Sequence, residues 1–329
     1  MKGGAVANLG IEVQPPQSPG GPGAASAIHG EGDAPQRPRR RLRELSDWGL
    51  VSLLFVAPSV ALLVWLKLVP LVAGVDDSFR DNAGNWIGFA NYREAFHDPI
   101  WIGALLNSAK GLALVPLFVF LPLFAAFLLY LKLPGWRYFR SILFLAYLLP
   151  ASMSGVAFTL FLGYGGPWQT VMSAIHAPAA IAEPLTQPGM SIFAVYAVVF
   201  WAWFGLGIVY YLAALSAAPK DLFEAAVLDG AGTWRQFWHV AAVSVRPTIA
   251  YWTVVVTAGL VLWLFPFVFS LTNGGPGYAS YTPEFYVYQT FTQPNLKGYS
   301  SALGIMLFVL AMTLTAAQVR FMYDRASKP

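Results

Sequence analysis

The sequence predicts an all-α integral membrane protein with six transmembrane helices. Charged residues make up only 11% of the 329 residues and hydrophobic ones 57%, whereas soluble domains average about 25% and about 45–50%. The apolar residues come in charge-poor blocks that are long enough to cross about 30 Å of hydrocarbon. Most Lys and Arg residues lie between these blocks. Together these features exclude a soluble enzyme, a nucleic-acid-binding protein and a disordered chain.

Residues 1–45 are predicted to form a disordered cytoplasmic tail, and residues 46–329 a single transmembrane domain. The tail is rich in Gly and Pro and lacks hydrophobic periodicity, so it cannot bury enough apolar area to offset its ordering entropy. Its terminal arginines resemble a twin-Arg export signal, but no small-residue cleavage site follows, which favours a basic flank of the first span. The six predicted spans are Leu50–Leu71, Leu105–Leu131, Ser141–Leu162, Met190–Ala217, Pro247–Leu271 and Ser300–Val319.

The distribution of Lys and Arg predicts the orientation in the membrane. If the N-terminus is inside, fourteen of these residues flank the cytoplasmic ends of the spans, and only Arg80, Arg93 and Lys297 lie in outer loops. Because cytoplasmic loops carry the positive excess, both termini are predicted to be cytoplasmic. The charged residues within the spans, Lys67 and Lys110, lie near predicted outer ends, where their side chains can extend to the headgroups.

Prolines interrupt the apolar runs, which favours a bundle that opens and closes over one that only anchors. Each Pro removes a backbone hydrogen bond and bends its helix. Backbone freed at that depth is tolerated only against protein or a watery cavity. The prolines concerned are Pro116, Pro122, Pro150 and Pro266.

Chemistry-bearing clusters are missing from the sequence. The chain has no Cys, which excludes disulfides, thiolate metal ligands and a Cys nucleophile. His97, His176 and His239 are too scattered for a metal site, and no His-x-x-x-His pattern occurs. There is no Gly-rich nucleotide-binding loop and no paired carboxylate or Ser–His set within the spans. We therefore expect no catalytic residue and no cofactor, and ATP, if used, to be bound by a partner subunit.

The predicted cytoplasmic loop of residues 217–247 carries the most informative pattern. Pro219 suits the first turn of a helix, and Asp221 lies where the helix dipole favours negative charge. Gly230 supplies a stop for this helix. Phe223, Ala226 and Val227 have the spacing of one helical face.

A second short helix is predicted to follow in the same loop. Thr233 and Gln236 have the spacing of a capping box. Two short amphipathic helices of this kind can rest on lipid headgroups, or they can dock against a cytoplasmic partner. In the second case Ala225 and Ala226 allow close backbone approach and Glu224 offers a charge. The residues alone leave both interpretations open.

Several motifs resemble those of bacterial ABC importer permeases, and most closely the carbohydrate, maltose-type branch. The resemblance covers nearly the whole chain after the tail. It rests on Glu224-Ala225-Ala226, Asp229-Gly230-Ala231-Gly232 and Arg246-Pro247 in the loop, and on Phe55-Val56-Ala57-Pro58, Gly88-Phe89-Ala90-Asn91-Tyr92 and Leu271-Thr272-Asn273-Gly274-Gly275-Pro276-Gly277 elsewhere. The Glu-Ala-Ala triplet alone is not specific for this family. The triplet together with the other motifs, in a six-helix chain, makes a strong signal for the resemblance.

This resemblance implies a type I importer permease fold in the bacterial plasma membrane, with a cytoplasmic coupling helix that docks onto an ATP-hydrolysing subunit. Glu224 would face an Arg of that subunit, and Gly230 would make the turn back to the bundle. The implied partners are an ABC ATPase dimer, a second permease, expected to be a different chain, and an extracytoplasmic solute-binding protein. The implied coupling residues are Glu224, Ala225, Ala226, Asp229 and Gly230.

The sequence departs from the family pattern at two places. The loop of the family usually ends in a Leu-Pro pair, where this chain has Ala242-Val243, so the second short helix is expected to run on further. The fifth helix often has an Asp about ten residues before the Gly-Gly-Pro motif, and here that neighbourhood is Leu264-Phe265-Pro266-Phe267.

For the solute pathway, the sequence points to aromatic side chains in mid-span, because sugars stack on aromatic faces. The candidates are Trp263 and Phe267, which would share one side of a continuous fifth helix, with Asn107 at the start of the second. The predicted cargo is a small-molecule sugar or oligosaccharide. A glycerophosphodiester or other polyol is the alternative, although a phosphate would favour an Arg clamp and no Arg lies in any span.

Other classes of function explain the sequence less well. An ion-coupled transporter predicts ionisable residues at mid-span and inverted repeats, neither of which is evident. A membrane scaffold that transports nothing accounts for the six spans but not for the Glu-Ala-Ala loop. An intramembrane hydrolase lacks its catalytic groups.

Overall fold

The computed structural model describes residues 54–132 and 135–326. The predicted tail, its arginines and the start of the first span therefore lie outside the described residues. By its internal contacts the chain divides into two units, residues 1–61 and residues 62–329. Of the first unit only residues 54–61 are described, and they are helical.

The described part of the chain is helical throughout, apart from its connecting loops and one isolated bridge between Arg80 and Trp86. The helices are α1 Leu54–Ser78, α2 Ala90–Ala95, α3 Pro99–Ala113, α4 Val115–Tyr130, α5 Trp136–Leu148, α6 Ala151–Leu162, α7 Pro167–Ala174, α8 Ala179–Ala182, α9 Ser191–Ala217, α10 Lys220–Leu228, α11 Thr233–Ser244, α12 Arg246–Leu262, α13 Phe265–Leu271, α14 Pro283–Phe291 and α15 Lys297–Ala326. Helices α1 and α11 each contain a π-helical turn, at Val64–Leu68 and Phe237–Ala241.

Four stretches of helix are long and apolar enough to cross a membrane, and up to six if each sharply bent pair counts as one span. The four are Leu54–Ser78, Pro99–Tyr130, Ser191–Ala217 and Lys297–Arg320. They correspond to the first, second, fourth and sixth predicted spans. The second begins at Pro99 rather than at Leu105, because Asp98 caps its N-terminus by accepting the N–H of Ile100 at 2.8 Å.

The third and fifth predicted spans are not continuous helices, and proline explains both breaks. Leu149 is extended, as a residue before proline tends to be, and Pro150 caps α6, so the chain bends by 106° there. Pro266 has no N–H to donate to the carbonyl of Leu262, and α12 ends at Leu262. Leu264 then caps the short helix α13.

Helix α9 lies at the centre of the fold. It carries no charged residue and is buried on more than one face, against α4 and α5 in particular. Residues 62–78 of α1 are much less buried than α9, because their apolar side chains are almost all exposed. An apolar surface of this kind fits a helix at the edge of a membrane bundle.

One end of the bundle is held together by a carboxylate. Asp98 accepts hydrogen bonds from the hydroxyls of Tyr286 in α14 at 2.5 Å and Tyr299 in α15 at 2.6 Å, as well as from the N–H groups of Ile100 and Trp101. We call these residues the Asp98 cluster. It fixes the start of α3 to two helices whose tyrosines follow 188 and 201 residues later in the chain.

Candidate coupling loop and solute cleft

The loop that precedes α12 contains the two short helices that the sequence predicts. Helix α10 follows Pro219, which is its N-cap, and has Asp221 in its first turn. It ends in a Schellman motif, in which Ala231 N–H bonds the carbonyl of Ala226 and Gly230 N–H bonds that of Val227. Gly230 has φ +73°, a conformation that L side chains rarely adopt. The glycine therefore ends α10.

Helix α11 begins without the predicted capping box. Gly232 is its N-cap, and no side chain caps the helix, so the prediction for Thr233 and Gln236 is wrong in detail. Gln236 is buried and donates instead to the carbonyl of Ala231 at 2.7 Å, which ties the helix to the preceding turn. The helix runs on to Ser244 and then turns by 79° into α12, in keeping with the missing Leu-Pro pair at Ala242-Val243.

Aromatic rings hold this loop against α4. Four rings of α4 recur at helical spacing and meet rings of α10 and α11 at centroid distances of 5.0 to 6.0 Å. We call this contact the aromatic seam. Its members are Phe120, Phe124, Phe127 and Tyr130 of α4, and Phe223, Trp234, Phe237 and Trp238 of the loop. Sequence reasoning missed the α4 half of the seam, although the spacing of its four aromatic residues could have revealed it.

The residues of the predicted apolar face of α10 do not all pack into the aromatic seam. Phe223 is buried against Tyr130, whereas Val227 is 60% exposed and Leu228 88% exposed. Glu224 and Ala225 are also exposed. Within residues 54–132 and 135–326, no hydrogen bond or ion pair holds the Glu224 side chain. Helix α10 thus presents exposed apolar side chains together with the carboxylates of Asp221 and Glu224, and no described part of the chain covers them.

The predicted pathway residues lie in three different environments. Phe267 is buried and lines a cleft of about 420 Å³ together with Tyr147, Pro150 and Trp203. Trp263 is 67% exposed, and the break after Leu262 separates it from Phe267, so the expected i, i+4 alignment does not exist.

Asn107, the third candidate, has a side chain whose hydrogen bonds are all made within the protein in this conformation. Its amide donates to the carbonyls of Ala279 and Tyr281, both at 2.9 Å, and its side-chain oxygen accepts from Lys110 Nζ at 2.9 Å. Its backbone carbonyl also accepts the hydroxyl of Tyr196 at 2.8 Å. Asn107 therefore joins α3 to the segment after α13.

Glu284 is a buried carboxylate that sequence reasoning did not single out. Burial raises its pKa to about 8, and the nearby N–H groups of Leu264 and Phe265 lower the pKa by less. Neither completes a hydrogen bond of ordinary geometry, and both carboxylate oxygens lack a partner among the described residues. Among residues 54–132 and 135–326, no group of three or more His, Asp or Glu side chains is placed to hold a metal ion.

The sequence relatives of this chain are permease proteins of transport systems. No family model matches the chain. It is 30% identical to the sulfoquinovosyl glycerol transport system permease protein SmoG of Agrobacterium fabrum over 88% of this chain and 95% of that protein. It is 29% identical to the arabinooligosaccharides transport system permease protein AraP of Halalkalibacterium halodurans over 82% of this chain and 87% of that one.

The fold is also that of a chain in a solved ABC transporter. The structure is similar to a chain of a bacterial alginate ABC transporter in complex with an alginate pentasaccharide-bound periplasmic protein, with a TM-score of 0.74 and 21% identity over 88% of this chain and 99% of that one. The likeness shows a shared all-helical fold, and the sequence relatives show a shared class. The chain is a multi-pass membrane protein that belongs to the family of permease subunits of binding-protein-dependent sugar ABC importers.

Proposed function

We propose that this chain is half of the translocation pathway of an ATP-driven importer and moves a sugar or oligosaccharide by alternating access. The upper count of six candidate spans and the Lys and Arg bias support a bundle of six spans with both termini in the cytoplasm, in which α12 belongs to the fifth span and α11 to the cytoplasmic loop. A second permease would supply the other half of the pathway. An extracytoplasmic solute-binding protein would deliver the cargo, by analogy with the alginate transporter, whose structure contains a periplasmic protein bound to an alginate pentasaccharide.

The single observation that carries the coupling role is the exposed surface of α10. Leu222, Val227 and Leu228 are exposed beside Glu224, and a large exposed apolar patch marks an interaction site. We propose that this coupling helix docks on an ABC ATPase of the cytoplasm, with Glu224, Ala225 and Ala226 against the partner and Asp229 and Gly230 forming the turn. ATP would be bound and hydrolysed by that partner.

The cleft beside Phe267 supports a sugar as cargo. It lies where α5, α6, α9 and α13 meet and is lined by aromatic and small apolar side chains, and no charged side chain is among the residues that line it. Aromatic faces suit the C–H faces of a sugar. The absence of an Arg clamp there argues against a glycerophosphodiester. We include Trp263 as a second pathway residue, because its exposed indole lies at the break before α13.

Charge reversal on α10 tests the coupling role. Glu224→Lys is expected to leave the protein in the membrane and to release the ATPase subunit when the complex is purified through a tag on this chain. Glu94→Lys, the same change at an exposed site outside the loop, is the matched control and should retain the ATPase. Retention of the ATPase by Glu224→Lys would contradict the docking site. A native chain that purifies without any ATPase would favour a membrane scaffold instead.

A further inference from the structure

Pro122 lies inside α4 and leaves one backbone carbonyl without its helical partner. In an α-helix the N–H of residue 122 would bond the carbonyl of Phe118, but proline has no N–H. Phe118 is 2% exposed, so water does not reach this carbonyl easily. A buried carbonyl without a donor costs free energy, and the bilayer offers no substitute.

Trp252 of α12 supplies the missing donor. Its indole Nε1–H donates to the carbonyl oxygen of Phe118 at 3.0 Å, and Trp252 is 1% exposed. The bond joins positions 134 residues apart in the sequence. The carbonyl that Pro122 leaves free in one predicted span is therefore hydrogen-bonded by a side chain from another.

Gly207 of α9 makes room for this contact. A Cβ atom at residue 207 would lie 2.9 Å from Pro122 Cβ and 3.1 Å from Trp252 Cζ2. Real Cβ atoms rarely approach other atoms so closely, and the rings of Pro122 and Trp252 have little space to retreat. Three helices thus meet at one dense point, which we call the proline lock: Pro122, Phe118, Gly207 and Trp252.

The same helix, α4, also carries half of the aromatic seam. Phe120, Phe124 and Phe127 pack on the rings of α11 within five residues of Pro122. The coupling loop therefore adjoins both helices, α4 through the aromatic seam and α12 through the chain itself at the turn after Ser244, and the proline lock joins α4 to α12. Helix α12 in turn leads to the break at Trp263 and the cleft residue Phe267.

We propose that Trp252 is a positioning residue that fixes α12 to α4 through the proline-freed carbonyl of Phe118, so that displacement of the coupling loop moves both helices as one body. The proposal rests on the proposed function for the source of the displacement. The lock itself is a property of this chain alone. In the alternative, the indole of Trp252 only satisfies the carbonyl of Phe118 and does not make the two helices move together. The experiment must distinguish these two roles.

The test uses the natural absence of Cys. Spin labels are placed on Leu117→Cys in α4 and Leu262→Cys in α12, both partly exposed positions. The complex, purified with its own partner subunits, is placed in vesicles of phosphatidylethanolamine and phosphatidylglycerol. Electron paramagnetic resonance then gives the label-to-label distance without nucleotide and with ATP plus vanadate. We expect one narrow distance that nucleotide does not change.

Trp252→Phe removes the donor and should broaden this distance and make it shift with nucleotide. Trp168→Phe is the matched control, because its indole also donates to a backbone carbonyl, that of Ile181, but between the short helices α7 and α8 and outside the proline lock. It should leave the distance unchanged. An unchanged distance in Trp252→Phe would overturn the proposal.

Pro122→Ala added to Trp252→Phe separates the two roles of the indole. The N–H of the new alanine can bond the Phe118 carbonyl, so the thermal midpoint that Trp252→Phe lowers should recover. The distance should stay broad, because the indole bond that joined α4 to α12 is still missing. Recovery of both would show that the indole only satisfies the carbonyl and would overturn the proposal. A broadened distance without nucleotide supports the lock even if no ATPase co-purifies, in which case the proposed function alone fails.

Discussion

The Asp98 cluster and the aromatic seam hold two parts of the molecule by different forces. In the cluster a single carboxylate accepts four hydrogen bonds from three helices, at 2.5 to 3.3 Å. In the seam eight rings meet edge to face or tilted, and no hydrogen bond between seam side chains is recorded among the described residues.

The difference concerns how each contact responds to displacement. Charge-assisted hydrogen bonds are short and directional, so the cluster tolerates little movement. Ring contacts are individually weak and change slowly with angle. A seam can therefore transmit a push while its rings adjust, which suits a loop that is proposed to move, whereas the cluster suits a part of the bundle that stays fixed.

Removing a buried ring from the seam should have the largest effect. Phe237 is 2% exposed and contacts Phe124 and Phe127, so Phe237→Ala should lower the free energy of unfolding by about 3–5 kcal/mol. Trp234→Ala is the control, because Trp234 is 65% exposed and its loss should cost much less. Denaturant titration in detergent measures both. Equal losses would mean that the seam is not built around Phe237.

Removing the acceptor from the Asp98 cluster should have the next largest effect. Asp98→Ala leaves the hydroxyls of Tyr286 and Tyr299 and two N–H groups without their acceptor, which should cost about 2–3 kcal/mol. Asp98→Asn keeps one acceptor oxygen and should cost less. The same titration measures the effect, and a loss smaller than that of Trp234→Ala would show that the cluster is not a fixed point.

The pH dependence of the cluster has a definite sign. Partial burial would raise the pKa of Asp98, but the hydrogen bonds from Tyr286, Tyr299, Ile100 and Trp101 outweigh it and hold the pKa below its ordinary value. The contribution of Asp98 to the free energy of unfolding is therefore complete above the pKa of an unfolded Asp, about 3.9. It is lost as the pH falls through the lower pKa of Asp98 in the folded state. Asp98→Asn should remove this acid sensitivity.

Glu284 gives a pH dependence of stability with the opposite sign. Because burial raises its pKa to about 8, the folded state holds a proton that the unfolded state loses above about pH 4.3. Stability should therefore fall as the pH rises towards and through about 8. Glu284→Gln should match the native thermal midpoint near about pH 4 and exceed it at about pH 9. Parallel pH profiles would show that this carboxylate does not titrate in that range.

Much of the candidate loop was predictable because its signals are local. Gly230 ends α10 through its own backbone conformation, and Pro219 precedes the first turn. The capping box failed because Gly232 takes the cap position and Gln236 finds a nearer carbonyl. Capping depends on side-chain competition that spacing alone does not describe.

The pathway residues were harder to predict, because their environment depends on distant parts of the chain. Trp263 and Phe267 share a face only if the helix between them is continuous, and Pro266 ends that continuity. The partners of Asn107 lie at residues 279 and 281, which no local pattern brings to it. The structure alone shows that Trp252 serves the carbonyl of Phe118.

Composition and local chemistry were sufficient to predict a helical membrane protein, the approximate positions of four long apolar helices and the two short helices of the loop, since hydrophobic length, proline and glycine act within a few residues. Tertiary structure decided which helix is buried, which predicted spans are broken and which polar groups find each other. Asp98, Asn107 and Trp252 all depend on partners more than a hundred residues away. Their partners become neighbours only when the helices pack.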